Sequence, residues 1–258
     1  MSSVLLEKKE GIAFITLNRP EKFNAFNREM ALRLQQILDD CSLDENIRCI
    51  YLTGNGKAFS AGQDLAELVG ENAPTLAQIL SEHYNPIVMK MRNLPKPIVV
   101  AVNGVAAGAG ANIALQGDIV VSINHASFIQ AFSKIGLIPD SGGTFILPRL
   151  IGFQKASALM MLGDKIEATE ALQMGMLYKV FTSEDFEIES KKIAQALAQM
   201  PTKALAFTKQ ALNDSLTNNF EQQLLLEDKL QQLSANTYDY NEGVAAFLEK
   251  RKPVFKGK

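Results

Sequence analysis

Residues 97–115 read PIVVAVNGVAAGAGANIAL: an apolar run that halts at Asn103-Gly104 and passes through alanine and glycine into a helical pattern. Isoleucine and valine without polar alternation predict a strand covered on both faces, and such strands belong to parallel sheets joined by helices. The small residues that follow permit close packing of the helix on its neighbours. They also bare peptide N–H groups at the helix start, where an oxygen atom could approach Ala109 and Gly110. Taken alone, the stretch fits plain helix packing as well as an anion cradle. It is not a P-loop, because no Gly-Lys-Ser/Thr follows, and its spacing fails Gly-x-Gly-x-x-Gly.

Outward from this segment the same alternation recurs. AFITLN (13–18), CIYLTG (49–54) and DIVVSI (118–123) read as further buried strands. Between them, residues 27–42 predict a helix capped by Asn27, with Met30, Leu32, Leu34, Ile37 and Leu38 on one stripe; residues 75–94 predict a second, interrupted by Pro86. Strand and helix in alternation imply an α/β fold with crossover connections and a largely parallel sheet. After about residue 185 the strand patterns stop. Amphipathic helices follow at 189–200, 201–216, 219–234 and 240–252, with Pro201 at a helix start and Asn218-Asn219 as a break. Their long apolar faces predict contact with another subunit.

Bulk properties narrow the function. The chain has 258 residues, 47% hydrophobic and 21% charged, as expected of a folded globular protein. Its 26 basic and 28 acidic side chains are interspersed, so no net field draws in nucleic acid or an anionic membrane. The absence of a long apolar run and the early charges of MSSVLLEKKEG predict no membrane span or signal peptide, hence a cytoplasmic protein. Cys41, Cys49, His83 and His125 form no metal-ligand spacing and read as buried thiols and ordinary histidines.

Two other loops could carry chemistry. NGKAFSAGQDLAEL (55–68) follows a strand, and Ser60, Ala61 and Gly62 leave its backbone bare before Gln63 and Asp64. A plain tight turn accounts for it too. IGLIPDSGGT (135–144) places Asp140 behind Ile135, Leu137 and Ile138, either as a turn residue at a helix start or as a carboxyl whose surroundings disfavour charge. The Asp-Ser-Gly-Gly string also occurs at serine-protease nucleophiles. An α/β pattern without an Ala-His-Cys segment or a Gly-x-Ser-x-Gly elbow excludes that reading.

These loops, in this order, resemble the crotonase family, the enoyl-CoA hydratase/isomerase group. LNRPEKFNAFN (17–27) and KAFSAGQDL (57–65) are similar to its CoA-contacting segments, VNGVAAGAG (102–110) to its oxyanion loop, and FLEKRKPVFKG to its C-terminal ending. The resemblance implies a crotonase-like spiral of ββα units at residues 1–200 and a helical C-terminal trimerisation region at 201–258, assembled as a homotrimer or as a hexamer of two trimers. It implies an acyl-CoA thioester as substrate and no metal or organic cofactor. Carried onto this chain, it assigns the oxyanion hole to the backbone N–H groups of Gln63 and Ala109. It further implies that Lys22, Phe23, Ala25, Ala61, Asp64, Leu65, Gly108 and Phe132 contact substrate, with segments such as 70–90 lining the acyl pocket.

One departure bears on the reaction. The family's hydratases carry two glutamates that activate and protonate with a water, and the matching positions here are Asn112 and Phe132. Neither is a base at neutral pH. The carboxylate that remains is Asp140, where several isomerases of the family carry a catalytic aspartate. The 130–152 segment most resembles the ring-1,2-epoxyphenylacetyl-CoA isomerase branch, which converts a ring epoxide to an oxepin and moves double bonds in acyl-CoA chains. An acyl-CoA isomerase with a single aspartate acid/base is therefore expected. The alternatives are hydration or thioester hydrolysis with Asp140 handling a water, and, in a different class, a non-catalytic acyl-CoA binding subunit.

Overall fold

The computed structural model describes residues 2–69 and 73–258. Of the 70–90 segment expected at the acyl pocket, positions 70–72 thus lie outside the described residues. The strands are β1 (Val4–Lys9), β2 (Ile12–Leu17), β3 (Cys49–Gly54), β4 (Ala58–Ser60), β5 (Ile98–Val102), β6 (Val105–Ala107), β7 (Ile119–Ile123), β8 (Ser127–Ile129), β9 (Lys165–Glu167) and β10 (Lys179–Phe181). The helices are α1 (Arg28–Leu43), α2 (Leu76–Gln78), α3 (Asn85–Asn93), α4 (Ala109–Ala114), α5 (Gly143–Ile151), α6 (Phe153–Leu162), α7 (Ala168–Met174), α8 (Phe186–Ala198), α9 (Thr202–Asp214), α10 (Phe220–Ala235) and α11 (Tyr238–Leu248).

The strands form a six-stranded sheet in the order β1-β2-β3-β5-β7-β10 and a four-stranded sheet in the order β4-β6-β8-β9. From β2 to β10 the larger sheet is parallel, with β1 added antiparallel at its edge. The successive pairs β3-β4, β5-β6 and β7-β8 each send their first strand into the large sheet and their second into the small one, and a helical segment then returns the chain. This is the spiral of ββα units. Every residue of β5 is buried, as the unbroken apolar run requires, and α8 lies across the large sheet with Ser190 Oγ 2.7 Å from the Tyr51 hydroxyl.

The corners between the sheets decide how closely successive turns stack. At Gly104 a side chain would collide with the Lys57 backbone carbonyl. Beside it, Asn103 accepts from the Gly54 N–H at 3.0 Å and donates to the Gly56 carbonyl at 2.9 Å, stitching one corner to the previous one.

Two helical expectations change in the structure. On α1, Asn27 does cap, accepting from the Met30 N–H at 3.0 Å, and Met30, Leu34, Ile37 and Leu38 are buried. Leu32, assigned to the same stripe, is 40% exposed, because two residues' rotation carries it to the opposite face from Met30. Pro86 does not interrupt the second helix. The wider turn Ile79–Tyr84 runs straight into α3, and the Glu82 carbonyl that Pro86 cannot engage accepts instead from Gln35 Nε2 at 2.7 Å.

In the C-terminal region, the α9 residue Lys209 donates to the Met91 carbonyl at 2.8 Å and meets the Asp118 carboxylate at 2.9 Å. Arg48, at the foot of β3, reaches the Thr202 hydroxyl and the Phe255 carbonyl, each at 3.0 Å. Asp239 accepts from the Lys256 and Gly257 N–H groups, which folds the tail back. Much of α10 and α11 stays uncovered: Leu225, Phe247 and Leu248 are exposed.

Gly104→Ala is expected to cost at least about 2 kcal/mol, since a backbone carbonyl cannot yield as a flexible side chain would. Urea unfolding measures this; an unchanged midpoint would refute the account of the corner.

Candidate active site

The first loop is built by backbone pairing. Ala61 donates to the Phe23 carbonyl at 2.9 Å, Phe26 donates to the Gly62 carbonyl at 2.6 Å, and Asp64 donates to the Phe26 carbonyl at 2.8 Å. This parallel bridge uses the groups on either side of Gln63 and turns its own N–H the other way. Among the described residues that N–H has no partner. The Gln63 side chain is held apart from it, accepting from the Tyr84 hydroxyl at 2.7 Å and donating to Glu67 at 3.0 Å. An ion pair of 2.8 Å between Arg19 and Asp64 clamps the loop's far side and holds the Asp64 carboxyl below its usual range.

The second loop leads from β6 into α4. Gly108, at φ 52° and ψ −129°, has a backbone conformation closed to side-chain-bearing residues, and it lets the chain turn into the helix within one residue. Its N–H donates to the Ile129 carbonyl at 2.9 Å, while the Ala109 N–H has no partner among the described residues. The two loops touch through their backbones: a methyl group on Gly62 would lie 2.8 Å from the Ala107 oxygen and 3.4 Å from the Ala109 nitrogen. Two unpaired N–H groups thus come from adjacent turns of the spiral, at the wall of one cavity of about 600 Å³.

Asp140 lies on the same cavity and is the only carboxylate among its described lining residues. Both sequence readings apply to it, in different atoms. Its main-chain carbonyl accepts from the Gly143 N–H at 2.9 Å to start α5, whereas its carboxylate accepts from the Ser141 hydroxyl at 2.8 Å. Burial pushes the carboxyl up to about 6, against the smaller opposing effect of Ser141. Apolar side chains share its cavity, among them Leu68, Ile79, Leu80 and Phe132, and they offer the charged form no hydrogen bond.

Of the residues singled out in the sequence, Gln63, Ala61, Leu65, Gly108, Ala109, Phe132 and Asp140 line this cavity together. Lys22, Phe23, Ala25 and Asp64 do not; Asp64 follows in the loop that carries Ala61, and the other three lie in the neighbouring 17–27 segment, whose Phe23 carbonyl accepts from the Ala61 N–H, with Lys22 and Phe23 exposed. Tyr84 is a lining residue that the sequence pattern does not reveal, because the wide helical turn sets its direction. Asn112 is wholly buried and donates to the Asp140 carbonyl at 2.9 Å. Cys41 and Cys49 are buried free thiols, and no group of three His, Cys, Asp or Glu among the described residues could hold a metal ion. No helix among them is long and apolar enough to cross a membrane.

Comparison with known proteins shows which family and fold the chain shares. The profile of the enoyl-CoA hydratase/isomerase family matches residues 7–258. The chain is 45% identical to 1,2-epoxyphenylacetyl-CoA isomerase of Escherichia coli, over 100% of both chains. It is 42% identical to a probable enoyl-CoA hydratase of Rhodobacter capsulatus, covering 99% of this chain and 98% of that one. The crystal structure of an enoyl-CoA hydratase/isomerase from Mycobacterium abscessus superposes with a TM-score of 0.93 at 36% identity, covering 99% of this chain and 100% of that one.

The raised Asp140 value carries a stability consequence. The folded carboxyl keeps its proton up to about 6 and the unfolded one only to its ordinary 3.8, so between these values the folded state binds more protons and stability falls as pH rises. Asp140→Asn is therefore expected to stabilise the protein at pH 7.5, by on the order of 2 kcal/mol, with the gain vanishing near pH 4. Thermal melts of both proteins across this range check it; a variant less stable than wild type at pH 7.5 would refute the assigned burial penalty.

Proposed function

The chain belongs to the enoyl-CoA hydratase/isomerase family, and from that premise we propose that it is an acyl-CoA isomerase using Asp140 as its single acid and base. The observation that carries this reading is the part-buried Asp140 carboxylate, alone of its kind among the described lining residues, on the same cavity as two unpaired N–H groups. The N–H groups of Gln63 and Ala109 would hold the thioester oxygen. As a proton leaves the neighbouring carbon, the charge moves onto that oxygen, and loss of one such donor typically costs about 100- to 1000-fold in rate.

With a 3-enoyl-CoA, the Asp140 carboxylate takes a proton from C2, the electrons spread over the dienolate, and the same carboxyl returns the proton at C4. The product is the 2-enoyl ester, with no net gain or loss of atoms. A base near 6 suits both halves of this exchange at neutral pH. A ring epoxide is the second substrate class, on the strength of the 45% identical relative named for its isomerisation and of an apolar wall that includes Phe132.

Hydration is the other reading, favoured by the relatives named as hydratases. It requires a group to activate water, and the two positions that supply glutamates in the family's hydratases are here a buried amide and an aromatic ring. The exposed apolar residues of α10 and α11, with a groove of about 1000 Å³ lined from α9, α10 and α11, support assembly as a trimer or a hexamer through the helical region 201–258.

The wild-type enzyme is expected to isomerise 3-enoyl-CoA or ring-epoxide CoA esters while hydrating crotonyl-CoA slowly. Asp140→Asn should retain under about a tenth of the activity with CoA-ester affinity preserved. Crotonyl-CoA hydration at roughly ten per second or more would overturn the isomerase assignment. Binding without turnover across 2-enoyl, 3-enoyl and ring-epoxide esters would make the chain a binding subunit. Light scattering should give a trimer or hexamer mass; a monomer at micromolar concentration would remove the assembly from the proposal.

A further inference from the structure

The backbone around Asp140 is unusual at the point where the reaction needs it rigid. Ser141, with φ 52°, and Gly142, with φ 72°, are consecutive left-handed residues, and the first bears a side chain, for which this conformation is costly. Such a turn persists only if its surroundings over-determine it. Helix α4 and the turn that ends it supply the restraint. Asn112 Nδ2, on α4, donates to the Asp140 carbonyl at 2.9 Å, and Gln116 Nε2, in the turn two residues past the end of α4, donates to the Ser141 carbonyl at 3.0 Å. The Gln116 N–H in turn donates to the Ile113 carbonyl at 3.1 Å, so two successive carbonyls of the Asp140 turn are held from one continuous hydrogen-bonded segment.

Asn112 could not be replaced by a carboxylate in this role. Its Oδ1 accepts from Gln130 Nε2 at 2.8 Å, and its Nδ2 must face the Asp140 carbonyl, which can only accept. Gly143 packs against the amide so closely that a side chain there would run into it. A glutamate at position 112 would be longer, and would set acceptor against acceptor. The position that provides a catalytic acid in the family's hydratases provides here a donor that fastens the turn bearing the only carboxylate among the cavity's described lining residues.

We propose that Asn112 and Gln116 are positioning residues that fix Asp140 relative to the unpaired N–H of Ala109 at the start of α4. This inference rests on the reading of Asp140 as the base. The short helix α4, with the turn that ends it, then sets both partners of the enolisation, the donor to the oxygen and the acceptor of the proton, at a constant separation. Misplacing a reacting group by about 1 Å is enough to cost on the order of 100-fold in rate, so the restraint acts on kcat.

The test compares wild type, Asn112→Ala, Gln116→Leu and Asp140→Asn for 3-enoyl-CoA isomerisation, for exchange of substrate protons with deuterated water, and for activity against pH. Each amide variant is expected to lose about 10- to 100-fold in kcat and in exchange, with KM within about twofold of wild type. As the turn relaxes towards water, the acid limb of the pH profile should move from near 6 towards the ordinary carboxylate range. A purely structural role would lower the melting temperature and leave kcat and the acid limb in place, which overturns the proposal. Gln116 is only partly buried, so if Asn112→Ala does not fold, Gln116→Leu decides: wild-type kcat and pH limb in that variant refute the positioning role. If Asp140→Asn is inactive while both amide variants match wild type, positioning fails and the base stands. An active Asp140→Asn defeats the assignment of the base.

Discussion

The arrangement depends on a backbone contact between two loops from neighbouring turns of the spiral. Peptide N–H groups that are not hydrogen-bonded are costly to enclose, and the fold leaves two of them, at Gln63 and Ala109, on the wall of one cavity. The first is spared because a single bridge to Phe26 takes its neighbours' groups. The second is spared because it opens a helix, where the leading N–H groups have no internal acceptor. Both depend on small residues: with a side chain on Gly62 the loops could not approach as they do. In the proposed reaction these donors await a thioester oxygen.

A second constraint follows from burial. A buried carboxylate resists ionisation, and the fold accepts that cost at Asp140, whose hydrogen bond from Ser141 offsets only part of it. Asp64 shows the contrast within the same region: the Arg19 guanidinium holds its carboxyl low, and it braces the loop from outside the cavity. Two aspartates of one composition thus serve different ends by environment alone. In the proposed mechanism only the destabilised one exchanges protons.

The helical region supports this site at a distance. Arg48 and Lys209 fasten α9 and the C-terminal tail to the foot of the large sheet and to α3. Apolar side chains remain exposed on α10 and α11, among them Leu225, Phe247 and Leu248, and the last two border one groove. That is the physical ground for the proposed assembly.

Four of the six large-sheet strands, β2, β3, β5 and β7, were legible because each is a continuous apolar run whose burial does not depend on register; β1, whose VLLEKK turns charged halfway, and the three-residue β10 were not. The strands of the small sheet, each three residues long, were not: Ala58–Ser60 or Val105–Ala107 carries too little pattern to distinguish strand from loop. Motif resemblance singled out Gln63, Ala109 and Asp140 as members of one site, and the residues lost at the hydratase positions, Asn112 and Phe132, were visible as absences. What those residues do instead was not, since a hydrogen bond from Asn112 to the Asp140 carbonyl joins positions 28 residues apart in the chain. Sequence determined which chemical groups are present and which strands are buried, because composition and periodicity are local. Tertiary structure alone decided which N–H groups stay unpaired, which carboxyl is deprived of water and which amide holds it, because each of these is set by neighbours that the chain brings together only on folding.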